Sequence, residues 1–220
     1  LVGGYIRDTL LGRKTGDIDV AVGANAVDVA RSVAAALQGH YVLLDEAEGI
    51  ARVVLIDNEA GRETQWHLDF STIRGTIESD LSRRDFTIDA MAVDLSDIGK
   101  RSPPRLIDKF GGEKDLEAGI IRAVGASIFE GGPARLIRGI RLAAQYGFSI
   151  DADTEAMISR QCHLINRVAG ERVREELCRI LSVRNAAHFI FYLDRLGLLT
   201  AIIPELTFPK GVDQPHEHYW

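Results

Sequence analysis

Apolar residues keep two different periods along this chain, and the switch between them near residue 126 restricts it to a fold with segregated parts. Before the switch, Asp17 to Val22, Tyr41 to Leu44, Ala51 to Ile56 and Trp66 to Thr72 are short alternating or apolar runs bounded by Asp, Asn and Gly. They describe a small sheet with hairpin-type connections that ends near Val124. A helix is expected over residues 5–11, and Asn25 is placed to cap another over 26–38 that stops near Gly39. After the switch, Leu136, Ile137, Ile140 and Leu142 to Ala144 recur at helical spacing, further helical stretches run to Leu206, and strand signals disappear. The expected class is α+β: a head over residues 1–125 with a small mixed sheet, then an all-helical neck and body over 126–220. Leu1-Val2-Gly3-Gly4 reads as the end of a strand entering a glycine turn, and Pro209 to Trp220 stops without a closing element. A chain clipped at both ends is therefore expected.

The composition of 220 residues, 46% hydrophobic and 26% charged, belongs to a globular protein with a core, which excludes disorder as its main state. No apolar run approaches the roughly twenty residues of a membrane span, and the N-terminus lacks a signal-peptide pattern, so a cytoplasmic protein without a membrane partner is expected. The net charge of −6 argues against a general polycation but leaves room for a local basic groove. All but five of the 26 basic residues are Arg, whose planar fork suits phosphates and base edges, although a GC-rich genome explains the bias equally well. Cys162 and Cys178 form no CxxC pattern and are expected to be buried and reduced. The oligomeric state is not legible.

Three stretches carry chemistry. In Gly3-Gly4-Tyr5-Ile6-Arg7-Asp8 a glycine pair between strand and helix lets backbone amides approach a phosphate, with the helix N-terminus favouring negative charge. In Gly16-Asp17-Ile18-Asp19-Val20 residues two apart on a strand share a face, so both carboxylates project together while Ile18 and Val20 turn inward. Hard oxygen donors at that spacing suit Mg²⁺, which takes one or two carboxylates together with substrate phosphates; an exposed strand face reads the same way. Trp66-His67-Leu68-Asp69-Phe70 alternates too, and Asp69 is a candidate third carboxylate. In Asp80-Leu81-Ser82-Arg83-Arg84-Asp85-Phe86-Thr87-Ile88-Asp89-Ala90 two arginines beside acids fit either a triphosphate grip or helix-capping ion pairs.

Taken together, LVGGYIRD followed by DID, then RRDFTIDA, LIDKFGG with DLEAGIIRAVG, PARLIRGIRLAA and ERVREEL resemble the class II tRNA nucleotidyltransferase and bacterial poly(A) polymerase family over residues 1–182. The resemblance implies a head with the nucleotidyltransferase fold, like the palm of DNA polymerase β, and helical neck and body parts that hold the tRNA acceptor stem. It implies template-independent addition of CMP and AMP, from CTP and ATP, to an RNA 3′ end. Asp17 and Asp19 would bind two Mg²⁺ ions, with Asp69 as the third catalytic acid. Gly3, Gly4, Arg7 and Asp8 would form the triphosphate cradle, and Arg83, Arg84 and Asp85 would hold phosphate and ribose. Asp89 stands where the family usually has an Asn against the sugar. Arg135 and Arg138 match the arginines that read the base, and Glu171 to Glu176 the helix that buttresses them.

Two departures accompany the resemblance. The family's base-reading run, E-D-x-x-R-x-x-R, here has Gly131 and Gly132 in place of both acids, which removes a side-chain acceptor for the exocyclic amine shared by A and C. Only Gly75 to Ser79 separates Arg74 from Asp80, where many members carry a long loop linked to switching from CTP to ATP. That shortness motivates a CC-adding or otherwise restricted activity. A poly(A) polymerase, and a nucleotide- or RNA-binding module without catalysis, stand as alternatives. Arg160, Arg167, Arg172, Arg174, Arg179 and Arg184 read equally as an RNA-facing stripe or a solvated, salt-bridged face. His216 and His218 beside Glu217 read as the run-up to a further domain rather than as a metal site.

Overall fold

The structure, a computed structural model, describes residues 1–59, 62–100 and 103–207; the His216-Glu217-His218 triplet lies outside the described residues. The chain divides into two compact units, one of Leu1–Ala118 with Arg122–Gly125, the other of Gly119–Ile121 with the chain from Ala126 onward.

The first unit opens with helix α1 (Gly4–Leu10), strand β1 (Asp17–Val22) and helix α2 (Ala26–Leu37). Strands β2 (His40–Asp45), β3 (Ile50–Glu59) and β4 (Arg62–Thr72) follow. Asn25 caps α2 as expected, its side-chain oxygen accepting the Val27 and Asp28 amides. The four strands form one mixed sheet in the order β1-β4-β3-β2, with β1 parallel to β4 and the other pairs antiparallel. Ala26, Ala30 and Ala34, one turn apart on α2, let the helix approach closely to Ala51, Val53 and Phe70, and Val20, Val22, Leu55 and Leu68 close that core. One face of the sheet is thereby covered. The side chains of alternate parity, including Asp17 and Asp19, stand on the other face.

The rest of this unit is short elements: α3 (Ile77–Leu81), a 3₁₀ turn (Thr87–Asp89), β5 (Ala92–Val93) paired with β6 (Leu106–Ile107), and α4 (Gly112–Ala118). The LIDKFGG stretch proves structural. Asp108 accepts the Gly112 and Glu113 amides at 2.8 and 2.9 Å and so caps α4. Gly112 lies so close to the Thr87 carbonyl that a Cβ would stand 2.2 Å from it. Buried Asp115 ties the two elements by accepting from Thr87 Oγ1 at 2.7 Å and from Arg122 Nε at 3.0 Å.

The second unit contains β7 (Ile120–Ile121), α5 (Ile128–Gly131), α6 (Arg135–Tyr146), β8 (Ser149–Ile150), α7 (Ala152–Gln161), a 3₁₀ segment (Cys162–Arg167), α8 (Gly170–Leu181), α9 (Ala186–Arg195) and α10 (Leu198–Ile202). A last 3₁₀ turn spans Pro204–Thr207. Helix α6 is its axis: Leu136, Ile137, Ile140, Leu142 and Ala143 are almost wholly buried, and Gly147 ends it in the left-handed conformation at φ 72°. Strand β8 pairs in parallel with β7, an addition that two residues are too few to announce by alternation. Both cysteines are free, but Cys178 is exposed and only Cys162 is partly buried, which corrects the expectation that both are buried. Among the described residues no helix is long and apolar enough to cross a membrane.

Candidate active site

Strand pairing brings together what the chain separates. Opposite Asp19 on β1 is Asp69 on β4, opposite Asp69 is Arg52 on β3, and opposite Arg52 is Val42 on β2. The neighbouring row runs Asp17, His67, Val54 and His40 across the same four strands. The three expected carboxylates thus share the face opposite α2, which alternation on β1 and β4 anticipates.

Two members of these rows were not anticipated. His67 Nδ1 lies 2.9 Å from Asp17 Oδ1. Arg52 grips Asp69 with both ends of its fork, Nε to Oδ1 at 2.6 Å and Nη2 to Oδ2 at 2.7 Å. The signal for Arg52 was in the sequence, as the one charged residue within the apolar run Ala51 to Ile56. Its partner could be found only through the register of β3 against β4.

On the outer side of β1 the Val2 amide donates to the Asp19 carbonyl at 3.0 Å, which lays the glycine turn along the strand edge. Gly3 has φ 66°, and a Cβ there would stand 2.5 Å from Arg84 Nη1 and 3.2 Å from Asp19 Oδ2. At Gly4 a Cβ would meet Arg7 Nη2 at 3.2 Å. The glycines therefore admit backbone, two guanidinium groups and a carboxylate into one small space. Burial pushes the Asp19 carboxyl above its ordinary pKa, and Asp69 and Asp89 push it the same way, against Arg84 and the Tyr5 amide. Arg52 is held more firmly protonated than usual by its hydrogen bonds to Asp69, against desolvation, with the charges of Asp69, Asp17 and Asp19 adding to the upward shift.

The other expected ligands divide. Arg7 is buried, bonded to Asp8 at 2.9 Å through Nη2 and to Asp89 through Nη1, so it ties the glycine turn to the Thr87–Asp89 turn. Arg84 is the more accessible of the pair, 23% exposed, with Asp80 at 3.6 Å and the Asp89 carbonyl at 3.5 Å; its buried Nε has no hydrogen-bond partner. Arg83 turns to α3, donating to Asp80 at 2.9 Å, Ser79 Oγ at 3.1 Å and the Arg74 carbonyl at 3.3 Å. Asp85 is buried and accepts the amide of Phe86 at 3.0 Å.

Within the second unit, Arg135 and Arg138 lie half-buried on α6. Arg135 Nη1 donates to the Ile128 carbonyl at 3.1 Å, and a Cβ on Gly132 would press its Nε at 3.0 Å, whereas Gly131 faces open space. The expected buttress takes a different form. The Arg172 side chain is exposed, and it is Glu176 that reaches α6, accepting from buried Arg141 Nε at 2.8 Å while Arg141 Nη1 donates to Gln145.

A small mixed sheet carrying three carboxylates on the face opposite α2, flanked by short helices, is a nucleotidyltransferase head. The poly(A) polymerase head domain family matches residues 1–122, and the chain belongs to it. Residues 147–208 match a second description, a probable RNA- and SrmB-binding site of polymerase A. The chain is 41% identical over 202 residues to the CC-adding tRNA nucleotidyltransferase of Geobacter sulfurreducens, covering 91% of this chain and 44% of the relative. It is 35% identical over 224 residues to the A-adding tRNA nucleotidyltransferase of Deinococcus radiodurans, covering 100% and 48%. A solved structure of the Thermotoga maritima CCA-adding enzyme complexed with tRNA superposes with a TM-score of 0.78 at 34% identity, covering 97% of this chain and 49% of that one. The chain spans about half the length of the curated relatives it matches.

Proposed function

We propose that this chain carries the catalytic head of a tRNA nucleotidyltransferase that adds CMP from CTP to a tRNA 3′ end, of the CC-adding kind. The row of Asp17, Asp19 and Asp69 beside the Gly3–Arg84 turn carries the transferase reading. The CC restriction rests on the short join between β4 and α3, from Thr72 to Ile77, which leaves no room for the long loop linked to the switch to ATP.

The donor chemistry fits Mg²⁺. Among the described residues no group of three or more His, Cys, Asp or Glu makes a closed metal cage, and Mg²⁺ does not ask for one, since it keeps water and substrate phosphates in its shell. Asp17, with a side chain 69% exposed, and Asp19, crowded by other carboxylates, would hold it. When bound, Mg²⁺ supplies positive charge at the attacking and leaving oxygens.

The chain's own residues orient and bind. Arg84 faces the glycine turn and offers donors to the triphosphate, and Arg7 keeps that turn in shape through Asp8 and Asp89. The RNA 3′ oxygen bonds to the α-phosphorus of CTP, the bond from that phosphorus to the bridging oxygen breaks, and pyrophosphate leaves. The hydroxyl proton passes to solvent or a carboxylate. Arg135 and Arg138 are the candidates for reading the base, without the two acids that Gly131 and Gly132 replace.

The test is incorporation of labelled CTP, ATP, UTP and GTP, each alone with Mg²⁺, into tRNA lacking CCA, alongside Asp17→Ala. CMP incorporation lost in the variant supports the reading. Efficient AMP addition to tRNA ending in CC overturns the CC restriction, and preference for unstructured RNA with ATP points to a poly(A) polymerase.

A further inference from the structure

In-line displacement needs the attacking and leaving oxygens on opposite sides of the phosphorus. In the sheet, the groups proposed to take the triphosphate stand on one side of Asp19: the Gly3–Gly4 turn and Arg84, along the outer edge of β1. The pyrophosphate leaves toward that edge. The RNA 3′ end must then arrive from the opposite side, over β4 and β3, where the same cross-strand row continues through Asp69 to Arg52 and ends in exposed, apolar Val42.

Arg52 has the chemistry for a phosphodiester there. A guanidinium carries five N–H donors in a rigid fork, and Asp69 engages one on Nε and one on Nη2, leaving three. The side chain is 33% exposed, so the guanidinium is partly open to a ligand while the fork stays anchored. The anchor also fixes where the fork lies: strand spacing puts β3 roughly 10 Å from β1, and Arg52 reaches from it to Asp69 on the strand between them. As an arginine it carries its charge at any working pH.

We propose that Arg52 is a positioning residue on the acceptor side, which holds Asp69 with one part of its fork and binds the 3′-terminal phosphodiester of the RNA with the rest. This assignment rests on the transferase reading above. It makes RNA, and not CTP, the substrate whose binding depends on Arg52, and it accounts for a paired arginine within the apolar run Ala51 to Ile56.

The test uses the full chain and two tRNA 3′-end substrates, one with an ordinary terminal phosphodiester and one with a neutral methylphosphonate at that linkage. RNA affinity is read by fluorescence anisotropy without nucleotide, CTP affinity separately, and kcat against KM for each substrate. The neutral linkage is expected to weaken RNA binding to the wild type about tenfold, as loss of a charge-assisted contact does. Arg52→Gln is expected to lose about the same factor with ordinary RNA, nothing further with the methylphosphonate, and less than about twofold in CTP affinity. Arg52→Lys keeps the charge but not the fork, and is expected to retain RNA affinity while kcat falls because Asp69 is no longer held. Losses that multiply, or a fall in CTP affinity equal to that for RNA, overturn the proposal. Equal affinity of the wild type for both linkages overturns it without any variant, so poor folding of Arg52→Gln cannot shelter it. Failure of the transferase reading looks different: a wild type that incorporates no nucleotide at all.

Discussion

The two units assemble their arginines in opposite ways. In the first, Arg7, Arg52 and Arg84 come from three distant stretches, and Arg7 meets Asp89, Arg52 meets Asp69 and Arg84 comes against Asp19 only through strand register and a glycine turn. In the second, Arg135, Arg138 and Arg141 follow one another at spacings of three on α6, and the helix alone makes them neighbours. Register places groups across strands to within a hydrogen bond but hides the partnership from the sequence. A helix advertises it.

The sharpest way to break this contrast is at the carboxylates. Asp17→Ala and Asp19→Ala are each expected to cut CMP incorporation about a thousandfold or more, with the fold intact, because catalysis rather than packing depends on them. Single-turnover incorporation and a thermal melt check this together. A loss of incorporation matched by a loss of folded protein would place both residues in the architecture instead.

The helical unit should answer in stability. Removing Glu176 leaves the buried Arg141 guanidinium without its ion pair, and Glu176→Ala is expected to cost about 3 kcal/mol in urea unfolding. Exposed Arg172, four positions earlier on the same helix, should cost under about 0.5 kcal/mol as Arg172→Ala. If the two variants proved equal, the buttress would run through Arg172 after all.

These cases show what a sequence makes legible. The Asn25 cap follows from residue type, and the apolar stripe of α6 and the shared face of Asp17 and Asp19 from local periodicity, and the structure has them where the sequence puts them. The Arg52–Asp69 fork and the His67–Asp17 contact depend on which strand lies beside which, information that no single strand contains. Arg7 and Arg83 show the converse. Both have the residue type for a phosphate, yet Arg7 is spent on Asp8 and Asp89, and Arg83 on Asp80, Ser79 and the Arg74 carbonyl. Residue type predicts what a side chain can bind; packing decides whether its donors are still available.

A smaller effect separates the glycine turn from the groups around it. Gly3→Ala forces a Cβ into left-handed backbone at φ 66° and against Arg84 and Asp19. The strain is on the order of 1–2 kcal/mol, so CTP affinity should fall about tenfold. Gly131→Ala, where a Cβ meets open space, should leave RNA and CTP affinities alone. Isothermal titration of both variants with CTP distinguishes a turn that carries the triphosphate, as proposed for Gly3–Gly4, from one that merely lacks a side chain.

The smallest expected effect is alkaline and belongs to the helical unit. Burial, with the charge of Glu155, pushes the Tyr192 phenol up to about 12, although Arg195 lies against its ring at 4.8 Å and opposes the shift. In the unfolded chain the same phenol ionises near its ordinary value of about 10, so the native state keeps a proton that the unfolded state gives up. Its contribution to stability is therefore intact below about pH 10 and drains away as the pH rises toward 12. Tyr192→Phe has no proton to lose. The wild type's urea midpoint should fall further than the variant's between about pH 9 and pH 11, and the difference between the two cancels what lysines and arginines contribute to both. Parallel curves would mean that Tyr192 is wetter in solution than its packing under Arg195 implies, and that this corner of the helical unit opens readily.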